Sequence, residues 1–425
     1  MARRIVRTIA AMAAVGLVSA CSGGATETPA PGNTDGTTQQ APTDLKGEIK
    51  VRTFPISPEV RANADEDYWA SMITEFNKKY PDIKVTSEVL PWADRDTALS
   101  SAIAGGVAPD VVYMIPNELV QYEGQDVLEP LDDILVRDGY FDNALKYTKV
   151  NDKQVGAPIL MSVVPTVCDA TVLEKIGAEV PTTWDELLEV GKKAKAQGLY
   201  ATQLMAGPNA AMDMGFLPYV QQAGGSTFDD EGNPTLTSEP VIEALTFLQT
   251  LAKEGYINVD DSVTAVPTEQ SGIAKRTVAC DFAQGISVLG PYWGDDRLVG
   301  APLKNKESAS YGTIGSFTIL KTSKNKEAAA AWVNWMTEAE QLSALNEFSL
   351  FYPPKEGVET HFAADSPEAK AGEFLNVVSP GVQNKNAREV NGVILPELQA
   401  VLLGQKEPQA AAEAMQKAAE AIVNR

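Results

Sequence analysis

The sequence predicts an α/β fold divided into two domains, and three observations lead there. Segments of alternating apolar residues take turns with segments of helical spacing. One strand-like run, Val111 to Ile115, is apolar throughout, and the chain of 425 residues is too long for one ordinary core. Strands alternating with helices make a mainly parallel sheet covered on both faces, and a strand apolar on both sides belongs in its interior.

In chain order, Glu48 to Phe54 places Ile49 and Val51 on one face, as a strand does. Trp69, Met72, Ile73, Phe76 and Tyr80 recur at spacings of three and four, an amphipathic helix that Pro81 ends. Ile83, Val85 and Val89 alternate again. Leu99, Ala102 and Ile103 return to helical spacing until Gly105 and Gly106, and Asp110 leads into the apolar strand. After Pro158 the same character resumes. Thr183 and Glu186 form a capping box, Ser238 and Pro240 open a helix that Gly255 ends, a helix from about Lys326 carries Trp332, Val333 and Met336, and the Ala-rich stretch from Gln409 to Val423 is a last helix. Trp69 and Trp332 sit among other apolars at helical spacing and are expected in the core.

The first 20 residues stand apart. Arg3, Arg4 and Arg7 flank an apolar run from Ile5 to Val18, too short for a bilayer core of about 30 Å. A positive start, a brief apolar stretch and small residues before a cut make a secretory signal, expected over residues 1–20. Leu17-Val18-Ser19-Ala20-Cys21 resembles the lipobox of bacterial lipoproteins, in which the cysteine is lipidated and becomes the new N-terminus; an ordinary signal with a chance cysteine is the alternative. From Ser22 to about Asp44 the chain is Gly, Thr, Pro, Ala, Ser and Gln without an apolar cluster, so residues 21–45 read as a lipidated cysteine with a flexible linker. The expected location is the outer face of the cell membrane, with the lipid as the only anchor.

Net charge is −22, and loss of the leader's three arginines leaves 32 Lys and Arg against 57 Asp and Glu, or −25. So acidic a surface excludes nucleic acid as a partner. Beyond Cys21 only Cys168 and Cys280 remain. In an oxidising compartment they are expected to pair, two buried free thiols being the alternative. No GxSxG elbow, HExxH pair or glycine-rich phosphate loop with a lysine is present, and the single histidine, His361, lies among polar residues with no partner for a metal site. No metal, no cofactor and no catalytic residue is expected. An exported glycoside hydrolase using two carboxylates remains the rival from another class, since acids are too abundant to exclude it by counting.

Five segments carry a resemblance: WASMITEFNKKYPDIKV, LSSAIAGGVAPDVVYM, PTTWDELLEVGKKAKAQG, TLTSEPVIEALTFLQTLAKEGY and SKNKEAAAAWVNWMTEAEQ. In their order and spacing the chain is similar to the extracellular solute-binding proteins of ABC importers, family 1, the mostly carbohydrate-binding group that includes the maltose-binding proteins. The resemblance implies the two-lobed periplasmic-binding-protein fold of type II, each lobe a mainly parallel sheet flanked by helices and discontinuous in sequence. Lobe 1 would hold residues 46–160 and 312–352, lobe 2 residues 161–311 and 353–425. It further implies a monomer that captures a carbohydrate, an oligosaccharide for preference, in the cleft between lobes and delivers it to two permease subunits and an ATPase. A polyamine, a peptide or an organic phosphate is the alternative solute.

Sugar recognition needs flat aromatic faces for the ring and planar polar groups for its hydroxyls. In LGPYWGDD the family places an aromatic just after a lobe-2 strand, facing the cleft, and Trp293 matches; Tyr292, Asp295 and Asp296 are its neighbours. In the loop after the apolar strand the maltose-binding branch brings tryptophan, aspartate and arginine to the sugar, whereas this chain has Met114, Asn117 and Glu118, which puts maltose itself in doubt. One of Phe348, Phe351 and Tyr352, before Pro353 and Pro354, is expected to line the cleft. Further candidates are Phe54 and Arg61 after the first strand, Asp213 in GPNAAMDM and Tyr311 at the second crossing. Cys168-Asp169 stands where many relatives have tyrosine and asparagine.

Overall fold

The computed structural model describes residues 44–57, 63–208, 210, 212–264 and 266–425, apart from the side chains of Ala93 and Asp96. The signal, Cys21, most of the linker and Arg61 lie outside the described residues.

The alternating segments become strands of a first sheet. Gly47–Thr53 pairs in parallel with Ile83–Val89, Ile49 facing Val85, and with Val111–Met114 on its other side. Next comes Ile314–Ile319, antiparallel, and then Ala157–Met161 at the edge. The helix Ala64–Lys79 turns Trp69, Met72 and Phe76 onto this sheet. Asp65, in its first turn, accepts the backbone N–H of Ile56 at 2.7 Å and so holds the loop that leaves the first strand. Helix Lys326–Met336 adds Trp332, whose ring meets Phe76 edge-on at 5.1 Å.

The second sheet has the same order of strands. Thr166–Asp169 lies antiparallel between Cys280–Asp281 and Arg297–Gly300. Single parallel bridges, Tyr200 to Val278 and Thr202 to Ile257, extend it outward. In both sheets the fourth strand is the antiparallel one, and it is supplied by the chain as it comes across from the other sheet. Cys168 and Cys280 face each other on neighbouring strands and are joined by a disulfide.

The crossings run side by side. Met161 exchanges backbone hydrogen bonds with Tyr352, Ser162 N–H donates to Thr313 and Val164 N–H to Tyr311, while Ser310–Tyr311 pairs with Val378–Ser379. Ala157–Met161 runs toward these crossings and Thr166–Asp169 runs away from them. The parallel strands of both sheets therefore point their carboxyl ends at the crossings, where open α/β sheets bind ligands. Among the described residues no helix is long and apolar enough to cross a membrane.

Candidate functional site: the facing strand ends

The first sheet brings an aromatic platform to its carboxyl ends. Trp92, just after the second strand, is 36% exposed and stacks on Phe54, just after the first, with centroids 4.9 Å apart. Its ring meets Tyr113 of the third strand edge-on at 5.9 Å. The indole N–H donates to the Pro55 carbonyl at 2.8 Å, which fixes the plane of the ring. Three adjacent strands each contribute one ring, and only the outermost keeps a broad face in solvent.

A charged pair borders that platform. The Arg95 guanidinium lies 5.5 Å from the Trp92 ring centroid, and its Nε is 3.1 Å from a Glu118 carboxylate oxygen. The other carboxylate oxygen accepts the Ile115 N–H at 2.9 Å, closing the first turn of helix Pro116–Glu123. Glu118 thus holds Arg95 and caps a helix at once. Tyr113 is buried with its phenol against Gly315, where a Cβ would come within 2.2 Å of the oxygen; the strand carries glycine there because the ring needs the room.

At the second crossing, burial pushes the Tyr311 phenol up to about 12; Asp213 raises it further and Arg95 opposes. Asp213, in the short helix Met212–Gly215, accepts the Asn391 amide at 3.0 Å, and burial raises its carboxyl above the usual range. Gly381, at φ +101°, passes so close that a Cβ would sit 2.9 Å from the same carboxylate oxygen. Arg95, Tyr311 and Asp213 therefore share one electrostatic neighbourhood at the crossings. The carboxyl ends of the second sheet's strands border a cavity of about 200 Å³ walled by Gln203, Asp281 and Gln284 among others.

Several expectations are corrected. Trp293 is fully buried, and its indole N–H donates to the Ile273 carbonyl at 3.0 Å. The second-sheet strand ends at Asp281, and helix Ile286–Trp293 carries the Gly-Pro-Tyr-Trp segment away from the crossings. The aromatic that directly follows the strand is Phe282. Tyr292, Asp295 and Asp296 travel with Trp293: the Tyr292 carbonyl accepts Arg276, and Asp296 pairs with Arg276 at 2.7 Å, beside Asp169 at the end of the sheet remote from the crossings. Met114 is buried in a small core with Leu99 and Leu119. Tyr352 is buried too, its hydroxyl donating to the Glu368 carbonyl and its ring lining a separate hollow with Phe141 and Phe362. Phe351 is half-buried and gives its carbonyl to Asn346, while Phe348 stacks on Tyr68 at 4.1 Å.

Phe54, Glu118, Asp213 and Tyr311 are brought to the facing strand ends, and Asn117 lies in the first turn of the helix that Glu118 caps. Phe54, itself buried, backs Trp92 rather than presenting a face of its own. Trp92 and Arg95 were missed, although the strand-end rule applied to Ile83–Val89 points straight at Pro91-Trp92. Asp281 and Gln203 were missed as well, because the strands before them are too short to alternate. Among the described residues no group of three or more His, Cys, Asp or Glu is placed to hold a metal.

This chain belongs to the family of bacterial extracellular solute-binding proteins, whose members' pattern matches residues 63–342. A protein of Sinorhizobium fredii named a probable amino-acid ABC transporter periplasmic-binding protein is 25% identical over 68% of this chain and 69% of its own. The arabinooligosaccharide-binding protein of Bacillus subtilis is 26% identical over 65% of this chain and 67% of its own. The solved structure of the sugar-binding protein MalE from Xanthomonas citri superposes with a TM-score of 0.78 at 17% identity, covering 89% of this chain and 98% of that one, and shares the two-lobed fold.

Proposed function

We propose that this protein is a lipid-anchored receptor outside the cell that captures a carbohydrate between two lobes and hands it to an ABC importer. The lobes comprise residues 46–160 with 312–352 and residues 161–311 with 353–425. The observation that carries the reading is the Trp92 face bordered by Arg95 and Glu118: a flat apolar surface beside charged hydrogen-bonding groups suits a sugar ring, which is apolar on its faces and polar at its edge. The names of the Bacillus and Xanthomonas proteins agree with it. The protein acts as a monomer, without catalysis, metal or cofactor, and the linker after Cys21 keeps the receptor close to its permease, raising its effective concentration there.

A thermal-shift screen of the mature protein against mono- and oligosaccharides, amino acids, polyamines and peptides tests the solute. Ligand that binds only the folded state must raise the melting temperature. Stabilisation by oligosaccharides supports the reading. Stabilisation by amino acids alone, as the name of the Sinorhizobium relative would suggest, overturns it, and so does release of product from glycosides. For the anchor, Cys21→Ala should move the protein from the membrane fraction to the medium.

A further inference from the structure

The cavity at the second sheet's strand ends is a site of unusual chemistry. Its volume of about 200 Å³ is that of roughly seven bulk waters, enough for one small polar unit. Asp281 lines it while being only 2% exposed. One carboxylate oxygen, Oδ1, accepts the backbone N–H groups of Ala283 at 3.0 Å and Gln284 at 2.7 Å. The Gln203 Oε1 atom is buried without a hydrogen-bond partner. Two hydroxyls in the wall are engaged by backbone: Ser262 Oγ donates to Asn258 and Ser271 Oγ to Thr268, each at 2.8 Å.

No lysine, arginine or histidine lines the cavity among the described residues. Asp261, from helix Val259–Val263, shares the lining with Asp281, whose charge adds to burial in raising the Tyr219 phenol, from helix Leu217–Gln222. A carboxylate this deeply buried is costly unless something donates to it, and among the described residues two backbone N–H groups do so. Hydroxyls of a ligand seated in the cavity would add donors to that carboxylate.

We propose that this cavity is a second ligand subsite, in which Asp281 accepts hydrogen bonds from the hydroxyls of a neutral sugar ring and excludes acidic sugars. The proposal rests on the carbohydrate reading and extends it to the opposite wall of the cleft. Burial pushes the Asp281 carboxyl up to about 6, so it is ionised at neutral pH and becomes protonated just below. Protonation removes the negative charge that strengthens the hydrogen bonds Asp281 accepts, and affinity falls with it.

Calorimetry on the mature protein with arabinotriose, maltotriose and trigalacturonic acid tests this. The neutral sugar that binds should bind at least tenfold more weakly at pH 5 than at pH 7.5. Asp281→Asn should weaken it more than tenfold at pH 7.5 and flatten the pH dependence, and trigalacturonic acid should not bind. Wild-type affinity and an unchanged pH slope in Asp281→Asn overturn the subsite while leaving the carbohydrate reading intact; binding of none of the neutral sugars in the wider screen overturns both. If Asp281→Asn does not fold, Gln203→Met and the wild-type pH series decide instead, an unchanged affinity in the one and a flat profile in the other refuting the proposal.

Discussion

The indole N–H of Trp293 donates to the carbonyl of Ile273 across 20 residues of sequence, and no part of the ring reaches solvent. The side chain fixes the end of helix Ile286–Trp293 against the turn that precedes strand Cys280–Asp281. Its loss would leave a large cavity and remove one of the two hydrogen bonds that the Ile273 carbonyl accepts, the Arg276 N–H keeping the other. Trp293→Ala should therefore lower unfolding stability by about 3–5 kcal/mol in urea titration. Wild-type stability combined with lost ligand affinity would return Trp293 to the cleft.

Trp92 has the opposite character. Its outer face is open, and the stack on Phe54 with the hydrogen bond to Pro55 holds the ring in place before ligand arrives. Trp92→Ala should weaken sugar binding more than tenfold, about 1.4 kcal/mol, with little change in melting temperature, and Trp92→Phe should recover part of the loss. Isothermal calorimetry reads the first effect and a thermal melt the second. Equal affinity in Trp92→Ala would remove the platform from the site.

These two tryptophans show where sequence is legible and where it is not. The helix over Trp69, Met72 and Phe76 and the strands over Ile49 and Val85 follow from periodicity, because burial of one face writes itself into spacing. The order of strands within each sheet does not, since the fourth strand comes from a distant part of the chain. Trp293 stands in a segment with the right residue types, but a helix of eight residues separates the strand's end from that ring, and residue type carries no record of direction. Asp281 ends a strand of two residues, too short for any pattern. Glu118 was legible as a ligand group; its pairing with Arg95 is visible only once the first turns of helices Arg95–Ala104 and Pro116–Glu123 meet.

The disulfide between Cys168 and Cys280 ties the strand that enters the second sheet to the one that closes its parallel half, across 112 residues of sequence. Constraining so long a loop in the unfolded chain stabilises the fold by roughly 4–5 kcal/mol on the chain-entropy account. The double substitution Cys168→Ala, Cys280→Ala should lose about that much in urea titration, whereas adding reductant to the double variant should change nothing further. Both thiols reacting with an alkylating agent in the unreduced native protein would show that no bridge forms.

Asp281 predicts a pH-dependent stability in the absence of ligand. Burial raises its carboxyl from an ordinary 3.8 to about 6, so the folded state holds the proton more tightly than the unfolded state does. The cost of the ionised group is therefore fully present above about pH 6 and fades as pH falls, reaching zero only below 3.8, where the carboxyl is protonated in both states. A shift of about two pH units corresponds to roughly 3 kcal/mol at neutral pH. Asparagine has no charge to desolvate and its Oδ1 can still accept the N–H groups of Ala283 and Gln284. Asp281→Asn should thus be more stable than wild type at pH 7.5, by up to about 3 kcal/mol, with the gap closing near pH 4.5 in urea titrations of the ligand-free proteins. A variant that gains stability while losing affinity is the pattern expected where a buried charge is kept for its ligand. A gap that stays constant between the two pH values would mean that Asp281 carries no desolvated charge, and the subsite would lose its acceptor.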